Sequence, residues 1–181
     1  MPVQIGTKAH DFSDPTGLLS DCHRRIEMFL GTLQRVAEVI DGPLTNEART
    51  ALESAVRYFQ EAAPKHTADE EESLFPRLRQ IHHPDMKSAL STLDALESEH
   101  RRADALHAEV QTLGCQCLYE GHLRARAASR FRQAVSDLAS IYGEHIRIED
   151  TVVFPAAKRT LSGPEKSAIA KEMATRRELI S

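Results

Sequence analysis

One eleven-residue pattern occurs twice in this chain of 181 residues, and it constrains the fold more than any other feature. The pattern reads His, three residues, Glu, four residues, Phe-Pro, and it spans residues 66–76 and 145–155. Because residues four apart lie on one face of an α-helix, each copy presents an imidazole and a carboxylate in the same direction. Packed helices can offer such pairs to a metal centre in their core. The repeat therefore predicts a helical fold around a metal site.

The duplication extends to two further histidines. His66 corresponds to His145 at an offset of 79, and His23 corresponds to His100 at an offset of 77. His23 is followed by Arg-Arg-Ile-Glu and His100 by Arg-Arg-Ala-Asp, and a Leu lies four residues before each of them. The chain is therefore predicted to be two similar helical hairpins. Each would contribute one His from its first helix and a His–Glu pair from its second.

Helical periodicity continues through most of the chain, because apolar residues recur at spacings of three, four and seven. Capping residues, Pro and Gly delimit five predicted helices over about residues 15–40, 45–81, 86–114, 122–159 and 162–179. Pro64 should kink or locally widen the second of them. The stretch 114–121, which holds Cys115 and Cys117, is predicted to be a connection. These features favour an all-α fold, an antiparallel up-down four-helix bundle with a short C-terminal extra helix.

The predicted domain organisation has three parts. Residues 1–13 form an N-terminal arm, residues 14–160 the bundle, and residues 161–181 a C-terminal helix that opens with a capping box at Ser162. The charged C-terminal helix also carries Ile169, Met173 and Leu179. These three could pack on the bundle or on a second subunit, so a homodimer is left open.

Composition excludes several classes of function. A net charge of −4 and a pI near 6.1 argue against nucleic acid or an anionic membrane as the partner. No apolar run approaches the roughly 20 residues of a transmembrane helix. Three Cys do not make a disulfide framework, and the N-terminus has no basic region followed by an apolar one. A cytoplasmic location is expected. Nine His among very few aromatic residues prompt a search for metal ligands.

The four repeated histidines each lie within an apolar stripe, where a buried imidazole needs a partner for its nitrogens. Metal would satisfy them together with the two glutamates. Nitrogen and carboxylate donors without thiolate suit iron, manganese or zinc, and two glutamates that can bridge suggest two ions. The predicted metal ligands are His23, His66, Glu70, His100, His145 and Glu149.

With Phe-Pro after each Glu, this arrangement resembles the hemerythrin-like (HHE cation-binding) domain family over about residues 15–160. The resemblance implies a non-haem di-iron centre of two iron ions held by those six residues, with Glu70 and Glu149 bridging. Oxygen-carrying members have a fifth His one turn after the third, where this chain has Asp104. The sequence therefore looks closer to the bacterial four-His variants, some of which handle nitric oxide, peroxide or iron.

The resemblance leads to a first functional hypothesis and two alternatives. In the first, the protein reacts with or senses oxygen, peroxide or nitric oxide, so its partner is a small diatomic ligand or peroxide. One alternative is iron storage or delivery, or di-iron repair. The other is a structural or interaction bundle that the metal clamps. Whether the protein is an enzyme is left open by the sequence.

Three further residues could be additional ligands or could orient the ligand histidines: Glu27, Asp104 and His107. Glu27 and Asp104 lie one turn after His23 and His100, and each could instead be a solvated side chain on a helix flank. For His107, two turns after His100, an ordinary core histidine is favoured over a fifth ligand or a lid residue.

Other polar residues have simpler interpretations. Tyr58 and Tyr142 could donate to a bound oxygen species, but ordinary packing is favoured for both. Cys115 and Cys117 are favoured as free thiols over a redox pair. Exposed positions are predicted for the remaining histidines, His10, His82, His83 and His122.

Overall fold

A computed structural model describes residues 10–178, which are helical with short connections and contain no strand. Four long helices dominate this part of the chain: α1 (Pro15–Val39), α2 (Asn46–Glu61), α5 (Lys87–Glu120) and α6 (Ala125–Ile148). Shorter helices are α3 (Ala63–Ala68), α4 (Phe75–Leu78), α7 (Phe154–Thr160) and α8 (Gly163–Arg176). Each long helix packs against two others, in the order α1, α2, α5, α6 and back to α1. This closed ring is the packing expected of a four-helix bundle.

In each half, one π-helical segment interrupts the second helix. The two segments span Asp69–Leu74, between α3 and α4, and Glu149–Val153, between α6 and α7. The N–H of Phe75 bonds to the carbonyl of Glu70, and the N–H of Phe154 bonds to that of Glu149, five residues back in each case. Each Pro that follows then lies in the first turn of a new α-helix, where its missing N–H costs no hydrogen bond. The Phe-Pro pairs thus explain the π register.

The irregularity expected at Pro64 is present, because α2 ends at Glu61 and α3 begins at Ala63 with Pro64 in its first turn. One predicted helix boundary is wrong. The predicted connection over residues 114–121 is instead the last part of α5. Gly114 lies where a Cβ would come within 2.8 Å of Val56 Cγ2, so this glycine serves close packing. The turn is made by Gly121, whose φ of 84° is left-handed, and α6 begins at Ala125.

The C-terminal helix α8 packs on the same chain. Ile169 and Met173 are buried in an apolar cluster that also contains Phe75 and Leu78. This placement answers the question left open for those two side chains, whereas Leu179 lies outside the described residues. Residues 1–9 of the predicted arm also lie outside the described range. Between residues 10 and 178, the helices are too short or too polar to span a membrane.

Candidate metal centre

The six predicted ligands come together in the interior, and none is more than 4% exposed. They form two groups, and within each group one donor atom per residue lies within 4.8 Å of the others. Both groups share the two glutamates. The first group is His23, His66, Glu70 and Glu149, and the second is Glu70, His100, His145 and Glu149.

The glutamate oxygens lie between the two groups. Glu70 Oε1 is 3.2 Å from His66 Nε2 and 3.8 Å from His23 Nε2, whereas Oε2 is 3.4 Å from His100 Nε2. The two oxygens of Glu70 therefore face different groups. Glu149 Oε2 lies 3.1 Å from both His23 Nε2 and His145 Nε2. Both carboxylates have the placement that a bridge between two cations requires.

These short distances are not hydrogen bonds. All four carboxylate oxygens of Glu70 and Glu149 are buried without a hydrogen-bond partner, and so is His23 Nε2. A buried carboxylate without a partner is costly, and a bound cation removes that cost. The donor set therefore fits a metal better than a network of hydrogen bonds.

The second group supports the same conclusion. His100 Nε2 lies 3.1 Å from His145 Nε2. Their outer Nδ1 atoms contact carboxylates, which only accept, so the ring protons lie on Nδ1. Without a metal ion, one of the two Nε2 atoms must therefore carry a second ring proton and donate to the other, whereas a bound cation would let both act as ligands.

Three of the four histidines are oriented by carboxylates on their outer nitrogens. His23 Nδ1 lies 2.9 Å from Asp150 Oδ1, and His100 Nδ1 lies 2.7 Å from Glu71 Oε1. His145 Nδ1 lies 3.0 Å from Glu99 Oε2. Such acceptors fix the ring orientation and make the inner nitrogen a stronger ligand. They act for all the ligand histidines except His66.

The charge of the site is strongly negative, as the pKa values of its histidines indicate. Burial disfavours protonated His23, but the carboxylates of Asp150, Glu149 and Glu70 that face its ring nitrogens outweigh burial and raise its pKa to about 11. For His100, burial is likewise outweighed by Glu70, and the pKa rises to about 9. Positive charge is thus favoured between the two glutamates, and metal binding would displace protons from the site.

The phenylalanines of the repeat cover the histidines of the opposite half. Phe154 stacks on His23 with ring centroids 5.2 Å apart and planes 14° apart. Phe75 is nearly parallel to His100, with centroids 6.5 Å apart. The π segment that follows each Glu therefore delivers an aromatic wall to the site.

Of the two interpretations left open for Glu27 and Asp104, the structure favours solvated side chains on a helix flank. Both side chains are exposed, neither belongs to a donor group, and Glu27 pairs with Arg24 at 2.8 Å. The orienting role belongs to Asp150, Glu71 and Glu99 instead. Sequence analysis missed them, although an acidic residue directly follows Glu70 and Glu149 at the repeat offset of 79.

His107 also lies outside both donor groups. Its Nε2 is 2.9 Å from the hydroxyl of Tyr142, and its ring stacks on Phe59. Burial lowers the pKa of His107 to about 4, so the ring is neutral at neutral pH. Its Nδ1 is buried without a hydrogen-bond partner. Its partner Tyr142 lies three residues before the predicted ligand His145. A cavity of about 200 Å³ is lined by His107, Tyr142 and Asp104.

The three cysteines are free. Cys115 is exposed and Cys117 is buried, and both lie on α5, where residues two apart point in different directions. Cys22 is buried on α1, beside the ligand His23, and its Sγ accepts a hydrogen bond of 2.9 Å from Arg25 Nη2.

Comparison with known proteins agrees with this geometry. The family model of the hemerythrin HHE cation binding domain matches residues 14–157, which include all six predicted ligands. Over 179 residues the chain is 24% identical to an uncharacterized protein of Haemophilus influenzae, a match that covers 98% of this chain and 96% of that relative.

Proposed function

Because the chain belongs to the hemerythrin HHE cation-binding domain family, we propose that it is a non-haem di-iron protein. In this proposal its metal centre reacts with or senses oxygen, peroxide or nitric oxide. His23, His66, His100 and His145 hold the ions, and Glu70 and Glu149 bridge them. The observation that carries the proposal is the set of four unpartnered carboxylate oxygens, buried between two pairs of imidazoles.

Two ions fit the donor set better than one. Each group offers two imidazole nitrogens and a share of both carboxylates, and the two oxygens of Glu70 face opposite groups. Each ion would then have four protein donors, which leaves positions for a small ligand on a metal that prefers six. Bound iron supplies redox chemistry and a binding position for small molecules.

The protein contributes orientation and exclusion of water. Asp150, Glu71 and Glu99 hold three imidazoles with their inner nitrogens toward the centre, and Phe75 and Phe154 wall it. The cavity beside Tyr142, at about 200 Å³, is below the usual size of pockets for drug-sized molecules. A small molecule is therefore the better match for this space. Manganese and zinc accept the same donors, so metal identity requires measurement.

A metal-clamped structural bundle is the second candidate. The ligands come from α1, α5 and α6 and from the segment around α3, so the centre would tie three of the four long helices to the segment that follows α2. In this case metal removal would unfold the chain, and the loaded protein would not respond to small oxidants.

Optical spectroscopy of the iron-loaded protein tests the proposal. The protein is loaded with iron without air, and its absorption spectrum is recorded before and after separate additions of air, hydrogen peroxide and nitric oxide. We expect a spectral change with at least one of the three. A protein that binds iron and responds to none of them would contradict the reactive or sensing function and favour the structural clamp. Rapid loss of iron to a chelator from a chain that stays folded would favour storage or delivery.

A further inference from the structure

The two halves of the repeat differ in one position that bears on the metal centre. Glu99 immediately precedes His100, and the offset of 77 between the first helices of the two halves places Cys22, which immediately precedes His23, at the equivalent position. Glu99 orients His145 through a contact of 3.0 Å at Nδ1. The histidine equivalent to His145 is His66, at the offset of 79. The repeat therefore places a sulfur where the other half has a carboxylate.

His66 has an outer nitrogen that needs an acceptor. Its Nε2 faces Glu70 Oε1 at 3.2 Å, so Nδ1 is the nitrogen on the far side of the ring from that carboxylate. His66 Nδ1 is buried and makes no hydrogen bond of standard geometry. Cys22 lines a cavity of about 260 Å³ together with Lys65, which immediately precedes His66. Burial acts to raise the pKa of the Cys22 thiol, but its interactions with His66 and Arg25 outweigh burial and lower it.

The other neighbours of Cys22 are hydrogen-bond donors. Arg25 Nη2 donates to Sγ at 2.9 Å. Arg177 lines the same cavity as Cys22 and is held in place by Asp69, which accepts from its Nη2 at 2.6 Å. A guanidinium can only donate, so the sulfur acts as an acceptor in this environment. An acceptor is what the outer nitrogen of His66 lacks.

We propose that Cys22 is a positioning residue, whose sulfur accepts a hydrogen bond from His66 Nδ1 and takes the part that Glu99 takes for His145. The inference rests on the proposed metal site, because it concerns how one ligand of that site is oriented. A sulfur acceptor is weaker than a carboxylate and bonds at a longer distance. The two metal positions are therefore inequivalent, and the first group, with His23 and His66, binds its ion less tightly than the second.

Cobalt(II) titration of the metal-free protein tests this inference without iron redox chemistry. Visible absorption and competition with a chelator give the affinity of each position. We expect two unequal affinities in the wild type. Cys22→Ala should weaken one position about 10-fold or more, the range found when partners of metal-bound histidines are removed. Cys22→Glu should restore that position and bring the two affinities closer together.

Two further variants provide controls. Cys117→Ala removes another buried thiol, on α5, and should leave both affinities at their wild-type values. Glu99→Ala should weaken the position that Cys22→Ala leaves unchanged. Circular dichroism confirms that each variant is folded.

Proton NMR of the cobalt-loaded protein supplies a readout that a purely structural role would not change. Each ligand histidine with an acceptor at Nδ1 should show a slowly exchanging, paramagnetically shifted N–H signal. Cys22→Ala should accelerate solvent exchange of one of these signals. If Cys22→Ala matches Cys117→Ala in both affinities and in N–H exchange, the inference is wrong while the metal site stands. A wild type that binds no cobalt would overturn the metal site and the inference together.

Discussion

The two His–Glu halves of the molecule share their ligand geometry but differ in how that geometry is held. In each half a π segment follows the Glu, an acidic residue orients a His of the other half, and a Phe covers that same His. In the first half, Asp69 is fully buried and is paired with Arg176, the last residue of α8, and with Arg177 directly after it. Its counterpart in the second half is Ile148. The arrangement of the six clustered side chains and their immediate contacts therefore repeats, whereas the residues that support each π segment differ.

The helices that lead into the two π segments also differ. The first is broken between α2 and α3 at Pro64, whereas α6 runs without interruption through the equivalent Gly143. The cavity beside His107 and Tyr142 has no equivalent pair in the first half, where the matching residues are Leu30 and Ala63. The duplicated ligands thus lie in unequal surroundings.

Loss of a shared glutamate should have the largest effect. Glu70→Ala removes a donor from both groups and should reduce the metal content to near zero, whereas His66→Ala affects the first group alone and should leave one ion. Elemental analysis of purified variants measures this difference. Glu27→Ala is the matched control, because that carboxylate is exposed and should leave the metal content unchanged. Retention of both ions by Glu70→Ala would break the bridging model.

The ion pairs that join Asp69 to Arg176 and Arg177 should stabilise the fold whether or not metal is bound. Arg176→Met leaves the fully buried Asp69 with one of its two cations and should lower the free energy of unfolding by about 3 kcal/mol. Urea unfolding of the metal-free protein measures the change. Arg147→Met is the control, because its pair with Glu144 is exposed and screened by solvent and should contribute much less. Equal effects of the two variants would show that α8 does not support the first π segment.

Gly114 and Gly143 differ in the space around them, and replacing each by Ala should change stability in opposite directions. Gly114 of α5 corresponds to Ala37 of α1, yet a Cβ there would lie 2.8 Å from Val56 Cγ2. Gly114→Ala should therefore lower the unfolding free energy by about 2 kcal/mol despite the higher helix propensity of Ala. Gly143→Ala has no atom within 4 Å of its new Cβ and should instead stabilise the protein by up to about 1 kcal/mol. Thermal melts compare them, and stabilisation by both would contradict the close packing of α5 on α2.

The smallest expected change in stability concerns the ion pair between Asp14 and Lys158, which links the two halves and weakens at low pH. Asp14 caps α1 and pairs with Lys158 of α7 at 2.9 Å. Burial acts to raise its pKa, but hydrogen bonds from Lys158, Gly17 and Thr16 lower it from 3.8 to about 2. The stabilisation by ionised Asp14 is therefore complete above pH 3.8 and is lost as the pH falls through about 2.

Asp14→Ala should thus cost about 1 kcal/mol at neutral pH, and the gap from wild type should close on acidification. Urea unfolding at neutral pH and at about pH 3 measures both values. A gap that widens at the lower pH would contradict the assignment.

The sequence alone predicted which six side chains come together, because the geometry of each His–Glu pair is local. His66 and Glu70 are four residues apart on one helix, and the duplication identifies their partners without tertiary information. The orienting contacts are different, since Asp150 and His23 are far apart in sequence and meet only when α6 packs on α1. Gly114 misled the prediction because a glycine that permits close packing and one that ends a helix look alike in sequence. The π register depends on how a helix accommodates Phe-Pro, which helical periodicity does not encode.

The most direct test of the central claim is a crystal structure of the iron-loaded protein with anomalous diffraction recorded at the iron edge. We expect two iron peaks in the interior, one beside His23 and His66 and the other beside His100 and His145. Glu70 and Glu149 should contact both of them. A single peak, or peaks away from these six residues, would contradict the proposed di-iron centre.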